Sequence, residues 1–272
     1  MDRRKLNLCL ILALSVFLIY KSIFFNSIIS RVKQPDYDYH SAVLKIYKEN
    51  PKVLFFRDRL KMQLGCDDPI IYNPPVSTSP FLYYSVVGKV WYLTNSLKIT
   101  ALIQSVFGIA AIFYVYFLAL IVTKSRIVSF FSAIIMSSIP MFSYQINYVS
   151  YDNLVNLASI ASIFYLMAFI NKLKIKDLFM LFIFLLIGIL TKFSFGPLMV
   201  VILTILILFL FKNFKFIKND IFKFIFNVKN IHYILVLLFF AGLFVSFYGR
   251  NLILYKSLMP AYSYNFEHRC DL

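Results

Sequence analysis

Polar residues along this chain are few and bunched, and between the bunches run apolar stretches of membrane-spanning length. A bilayer core of about 30 Å needs roughly 20 apolar residues in a helix. The first such stretch, 6–25, follows Arg3, Arg4 and Lys5. A cleaved signal peptide has a shorter apolar core and a small-residue cleavage site after it. No such site follows here, so the stretch reads as an uncleaved first span. Residues 99–122, 127–148 and 154–170 read as the next three spans. The run 178–211 is continuous but interrupted by Lys192 and by Gly196-Pro197. One straight helix there would put two basic clusters on opposite sides of the membrane, against the positive-inside bias, and Gly-Pro signals a turn. A hairpin is therefore expected, with arms of about 15 residues, roughly 22 Å each. Such arms fall short of the bilayer core, so the turn should lie below the outer surface, lining a cavity or buried in protein. Residues 234–248 make a seventh span.

The segment 26–98 is different. It holds six prolines (Pro35, Pro51, Pro69, Pro74, Pro75, Pro80) and six acids (Asp36, Asp38, Glu49, Asp58, Asp67, Asp68). Its amphipathic stretches 42–47, 53–64 and 81–93 are too short or too polar to span and read as helices on the membrane surface. Near the other end, 214–230 mixes Lys215, Lys218, Lys223 and Lys229 with Phe and Ile. It reads as a basic amphipathic helix on the cytoplasmic surface. The expected fold is an all-α integral membrane protein of about seven transmembrane helices. Its divisions are 1–25 (first span), 26–98 (external loop), 99–211 (spans two to six), 212–230 (basic segment), 231–249 (seventh span) and 250–272 (external tail).

Composition supports this reading. Hydrophobic residues make up 61% of the chain, and charged residues 15%, against roughly 25% in soluble domains. A soluble fold of this size could not cover so much apolar surface. The net charge of +16 does not point to nucleic acid. Its residues cluster at the ends of apolar runs, as in Lys124 with Arg126 and Lys172-Lys174-Lys176, which is how cytoplasmic ends are marked. Membrane lipid with anionic headgroups is the expected partner. The expected placement is the bacterial inner membrane, N-terminus cytoplasmic and C-terminus external. Cys66 and Cys270 then share the external side, so a disulfide and two separate thiols both remain open.

Nearly all the acids fall on that external side, and candidate chemistry goes with them. Asp36, Asp38 and His40 lie in Pro35-Asp36-Tyr37-Asp38-Tyr39-His40. On a helix Asp36 and His40 share a face; on a strand all three do. Either can hold a base or a divalent cation, and a helix cap with a solvated His40 is the simpler alternative. Asp152, in Ser150-Tyr151-Asp152-Asn153, caps the fourth span or faces a cavity. Lys192 is a charge inside an apolar run, a functional candidate by default unless it snorkels. Arg250 either anchors the last span or grips a phosphate through its forked donors. There is no Walker loop, zinc-protease helix or Gly-x-Ser-x-Gly elbow.

In order, these elements resemble the type-C (GT-C) membrane glycosyltransferases that use polyprenyl-phosphate sugars, near the protein mannosyltransferases and aminoarabinose transferases. Asp36 to His40 is similar to that family's first-loop Asp-Glu-x-x-His, with Tyr37 in place of Glu. Pro80-Phe81-Leu82-Tyr83-Tyr84 resembles its His-Pro-Pro-Leu-Tyr-Tyr element without the His. Tyr151-Asp152-Asn153-Leu154, Gly188-Ile189-Leu190-Thr191-Lys192-Phe193 and Tyr248-Gly249-Arg250-Asn251 resemble three further motifs. The resemblance implies an inverting hexosyl- or pentosyltransferase whose donor substrate is a lipid-linked sugar. Asp36 would be the base and Asp38 the second choice. His40 and Asp152 would bind substrate, and Lys192 and Arg250 would hold the phosphate. Asp36, Asp38 and Asp152 would be the ligands if a divalent cation takes part. Family members usually continue with a C-terminal module, whereas this chain stops at Leu272, which implies a truncated form or a membrane protein partner that supplies the module. The competing readings are a non-catalytic membrane subunit or scaffold and, given only seven glycines, less readily a transporter or lipid flippase.

Overall fold

The structure, a computed structural model, describes residues 3–28, 37–54 and 80–258. The regular structure among them is entirely helical. The helices are α1 (Arg3–Ile28), α2 (Tyr37–Glu49), α3 (Leu82–Thr94), α4 (Leu97–Thr123), α5 (Arg126–Ser138), α6 (Pro140–Ile146), α7 (Asp152–Lys172), α8 (Ile175–Thr191), α9 (Gly196–Ile225), α10 (Ile231–Phe244) and α11 (Arg250–Tyr255). Five stretches are long and apolar enough to cross a bilayer: Leu6–Ser27, Leu97–Thr123, Asp152–Lys172, Phe193–Asn213 and Val228–Ile253. The chain is thus an integral membrane protein. α5 and α6 together make a sixth crossing if counted as one span. α8, the first arm of the expected hairpin, has 17 residues, a rise of roughly 25 Å.

Side-chain contacts set the helix directions. Asn7, near the start of α1, accepts from Tyr116 near the end of α4 at 2.6 Å. Ser22, near the end of α1, bonds Ser105 near the start of α4 at 2.9 Å, so the two helices are antiparallel. α7 runs parallel to α4, because Asn153 meets Gln104 and Tyr165 meets Tyr114. α8 returns against α7, with Tyr165 and Phe184 stacked 5.6 Å apart. α9 returns against α8: Phe195 lies on Gly188 at one end, and Phe179 meets Phe224 at the other, 4.9 Å between centroids. α10 is parallel to α8, with Lys176 over Tyr233 at their starts and Tyr248 bonded to Ile189 beyond. One end of the bundle therefore gathers Lys124, Arg126, Lys172, Lys174, Lys176 and Lys229. The other gathers the starts of α4, α7 and α9 and the end of α8.

Three expectations are corrected. The stretch 127–148 is not one straight span. Pro140 has no N–H to give and its ring displaces the preceding turn, so Ile139 is extended and α6 leaves α5 at 77°. The Ser137 carbonyl released there accepts from Ser143 Oγ at 2.6 Å and from Lys21 Nζ. Next, the 178–211 run does fold back, but Gly196-Pro197 is not its turn. The break is Lys192 to Phe195, and Pro197 sits in the first turn of α9, where its missing N–H costs nothing. Finally, α9 continues unbroken to Ile225, so the stretch from Phe214 extends a spanning helix instead of starting a separate one.

The described part of the segment between α1 and α4 also enters the core. Val43, Leu44 and Tyr47 of α2 and Phe81, Tyr83, Tyr84 and Val87 in and beside α3 are buried. These amphipathic faces pack on protein. At Gly88 a Cβ would lie 2.4 Å from Tyr47 Cβ and 3.2 Å from its carbonyl carbon, so the two helices touch backbone to backbone. Gly88→Val should cost roughly 1–3 kcal/mol through overpacking and lower the melting temperature in detergent. Gly242→Val, where a Cβ meets nothing within 4 Å, should leave it unchanged.

Candidate functional site

α8 stops at Thr191 because Lys192 adopts an extended conformation, φ −153° and ψ 126°. That break swings the Lys192 side chain out of the helix. Its Nζ donates to Asp152 Oδ1 at 2.9 Å and stands 4.5 Å from the centre of the Tyr151 ring. Both charged side chains are about one third exposed, at 34% and 33%. Asp152 opens α7, where a negative charge suits the helix dipole. Its other oxygen, Oδ2, accepts from Ser150 Oγ at 3.2 Å, and Ser150 Oγ accepts in turn from the Asp152 N–H. No side-chain cap bond is made by the residue before α7. The Asp152 carboxylate thus faces a lysine from another helix.

α2 and α3 complete the group. His40 is only 4% exposed. Its Nδ1 lies 2.7 Å from the Tyr84 hydroxyl, and its ring stands edge-on to Tyr151 at 5.0 Å and to Tyr148 at 5.8 Å. Tyr151 is therefore shared between His40 and Lys192. The structure brings His40, Asp152 and Lys192 together from three separated segments. Arg250 sits at the same end, after a wide turn at Val245–Gly249. That turn sends Phe247 onto Phe81 at 5.2 Å and Tyr248 Oη to the Ile189 carbonyl at 2.6 Å. The described contacts of Arg250 are Asn251 Oδ1 at 3.1 Å and the Phe247 ring. Neither belongs to the Asp152–Lys192 group.

Behind the group lies a buried amide network. Gln104 donates to the carbonyls of Tyr148 (2.8 Å) and Ile146 (3.2 Å). Asn153 donates to the carbonyl of Gln145 at 2.7 Å and to Gln104 Oε1 at 2.9 Å. Burial pushes the Tyr83 phenol well above its ordinary value, so it stays protonated and donates to Gln104 Oε1 at 3.4 Å. Ser22 ties the same turn to α1 through Asn147 Oδ1 at 2.9 Å. The network fixes the turn that presents Tyr148, Tyr151 and Asp152. The stretch of α4 from Gln104 to Lys124 rises about 30 Å, one bilayer core. The site thus sits one membrane thickness from the basic end.

Asp36, Cys66 and Cys270 lie outside the described residues, as does the side chain of Asp38, whose backbone opens α2. Among the described residues no three His, Cys, Asp or Glu side chains converge; the expected set of Asp36, Asp38 and Asp152 reaches outside those residues. The sequence reading passed over Lys21, Gln104, Tyr84, Tyr148 and Tyr151 as site-building residues. For Lys21 and Gln104 a signal existed: each is a polar side chain inside an apolar run.

Compared with known proteins, the chain matches no family model, no curated protein and no solved structure. Its chemistry is therefore read from its own geometry. Gln104→Leu removes two carbonyl partners and the acceptor of Tyr83, and should cost about 1–3 kcal/mol per stranded group. Thermal unfolding in detergent checks this, with Tyr92→Ala, an exposed position, expected to be neutral.

Proposed function

We propose that this chain is a GT-C-type membrane glycosyltransferase, moving a sugar from a polyprenyl-phosphate donor to an acceptor hydroxyl on the external face. One observation carries the reading. His40, Asp152 and Lys192, from three motifs far apart in the chain, meet around the Tyr151 ring at the end of the bundle away from the basic clusters. The positive-inside bias assigns the basic end to the cytoplasm and the site to the periplasm. In this reading α8 is the seventh crossing, shortened because the Lys192 break lies within the site.

An inverting transfer needs two things from the protein. A base takes the acceptor proton as its oxygen attacks the anomeric carbon, and cations stabilise the departing lipid phosphate. Lys192 supplies a mobile point charge and Arg250 a fork. Asp36 immediately precedes α2 in the chain, four residues before His40, and takes the role of base, with Asp38 as its substitute. His40, held by Tyr84, orients the acceptor side. A scaffold role has its own support: Asp152 and Lys192 already neutralise each other, as two purely structural charges would.

Two measurements separate these readings. Purified protein should bind a labelled polyprenyl-phosphate sugar saturably, and the Lys192→Ala, Arg250→Ala double variant should lose that binding. Asp36→Asn should insert normally and lose transfer by about 10²-fold or more. Unchanged cellular function of Asp36→Asn, with no donor binding by well-folded wild type, would establish the scaffold instead.

A further inference from the structure

Resting on that reading, we propose that Asp152 is the residue that sets which ligands Lys192 accepts: its carboxylate holds the ammonium and yields it only to a lipid phosphate monoester. Among the described residues this is the one salt bridge. A pair whose partners are each about one third exposed adds modestly to stability, and the start of α7 is secured independently by the amide bonds of Asn153. The pair is therefore not needed to hold that turn.

Its geometry suits exchange. Each partner keeps a second hold when the bond between them opens. Lys192 stays over the face of Tyr151, 4.5 Å from the ring centre, an attraction that does not need the carboxylate. Asp152 keeps its Ser150 contact through Oδ2, the oxygen that does not face Lys192. An incoming phosphate thus meets a lysine already positioned and displaces an anion with somewhere to remain. A phosphate monoester, the end of the carrier lipid once its sugar has left, brings more charge and more acceptor oxygens than a carboxylate, so it wins the exchange. A zwitterionic headgroup, whose phosphodiester carries one charge and its own cation, does not, and the abundant lipids around the site are turned away. Tyr151 links the exchange to His40, 5.0 Å from the same ring, so phosphate arrival is registered on the side where the acceptor is expected.

The test uses full-length protein in nanodiscs of phosphatidylcholine and a fluorescent polyprenyl monophosphate that carries no sugar. Wild type, Asp152→Asn, Asp152→Ser, Lys192→Met and the Asp152→Asn, Lys192→Met pair are compared. Removing the competing charge should tighten binding by about tenfold in both Asp152 variants, and Lys192→Met should abolish the gain. The same variants should also bind a zwitterionic lipid probe more strongly than wild type does. Unchanged or weaker phosphate binding by both Asp152 variants, with wild type still binding, overturns the exchange and leaves the transferase reading standing. Absence of binding by every protein, with the fold verified by melting, overturns both. Asp152→Ser keeps a short polar side chain at the helix start, so a gain shared by both Asp152 variants reports the lost charge, and a gain confined to one of them overturns the exchange.

Discussion

Backbone groups released inside a bilayer find no water to bond, so each interruption of a spanning helix must be answered by a side chain or a ligand. The breaks in this chain follow that constraint. At Pro140 the freed Ser137 carbonyl is met by Ser143 and Lys21. At the end of α8 the Ile189 carbonyl is met by the Tyr248 hydroxyl. In the turn between α6 and α7 the carbonyls of Gln145, Ile146 and Tyr148 are met by Gln104 and Asn153. All three answers lie at one end of the bundle, so the polar residues that repair the backbone gather at the end that carries the candidate site.

This arrangement explains why a half-buried charge can be held precisely in so apolar a molecule. Lys192 leaves its helix at a break whose preceding carbonyl is pinned by a neighbouring helix. Asp152 and Tyr151 are presented by a turn that amide side chains hold from behind. His40 comes from α2, pressed against α3 at Gly88 with no room to shift. The cluster is supported on three sides by elements that would be costly to move.

Much of this was legible in the sequence. The runs 6–25, 99–122, 154–170 and 234–248 fall within helical segments, the basic clusters gathered at one end, and His40, Asp152 and Lys192 stood out as charge or hydrogen-bonding capacity near apolar runs. Other features were not legible, for physical reasons. Gly196-Pro197 reads equally as a turn or as the first turn of a helix, and only the extended Lys192 decides between them. An amphipathic helix shows that one face is apolar but not whether lipid or protein covers it, so the docking of α2 and α3 was invisible. The break at Pro140 lay unread inside the expected span 127–148, and the carbonyl it frees is met by Lys21, more than a hundred residues earlier. Gln104 and Asn153 carry no charge, and their importance appears only when three carbonyls converge on them.

The bond from Lys21 also has a bearing on how the protein is made. Its acceptor, Ser137, lies 116 residues later in the chain, and the Asn147 partner of Ser22 lies 125 residues later. The first span therefore enters the membrane with an ammonium and a hydroxyl unmatched. It must wait, with Lys21 reaching toward the headgroups, while α2 to α6 are synthesised. Insertion and assembly are thus separate stages for this chain. Asn7 and Ser22 can meet α4 before Ser137 is made, and the bend at Pro140 supplies the last partner of the first helix.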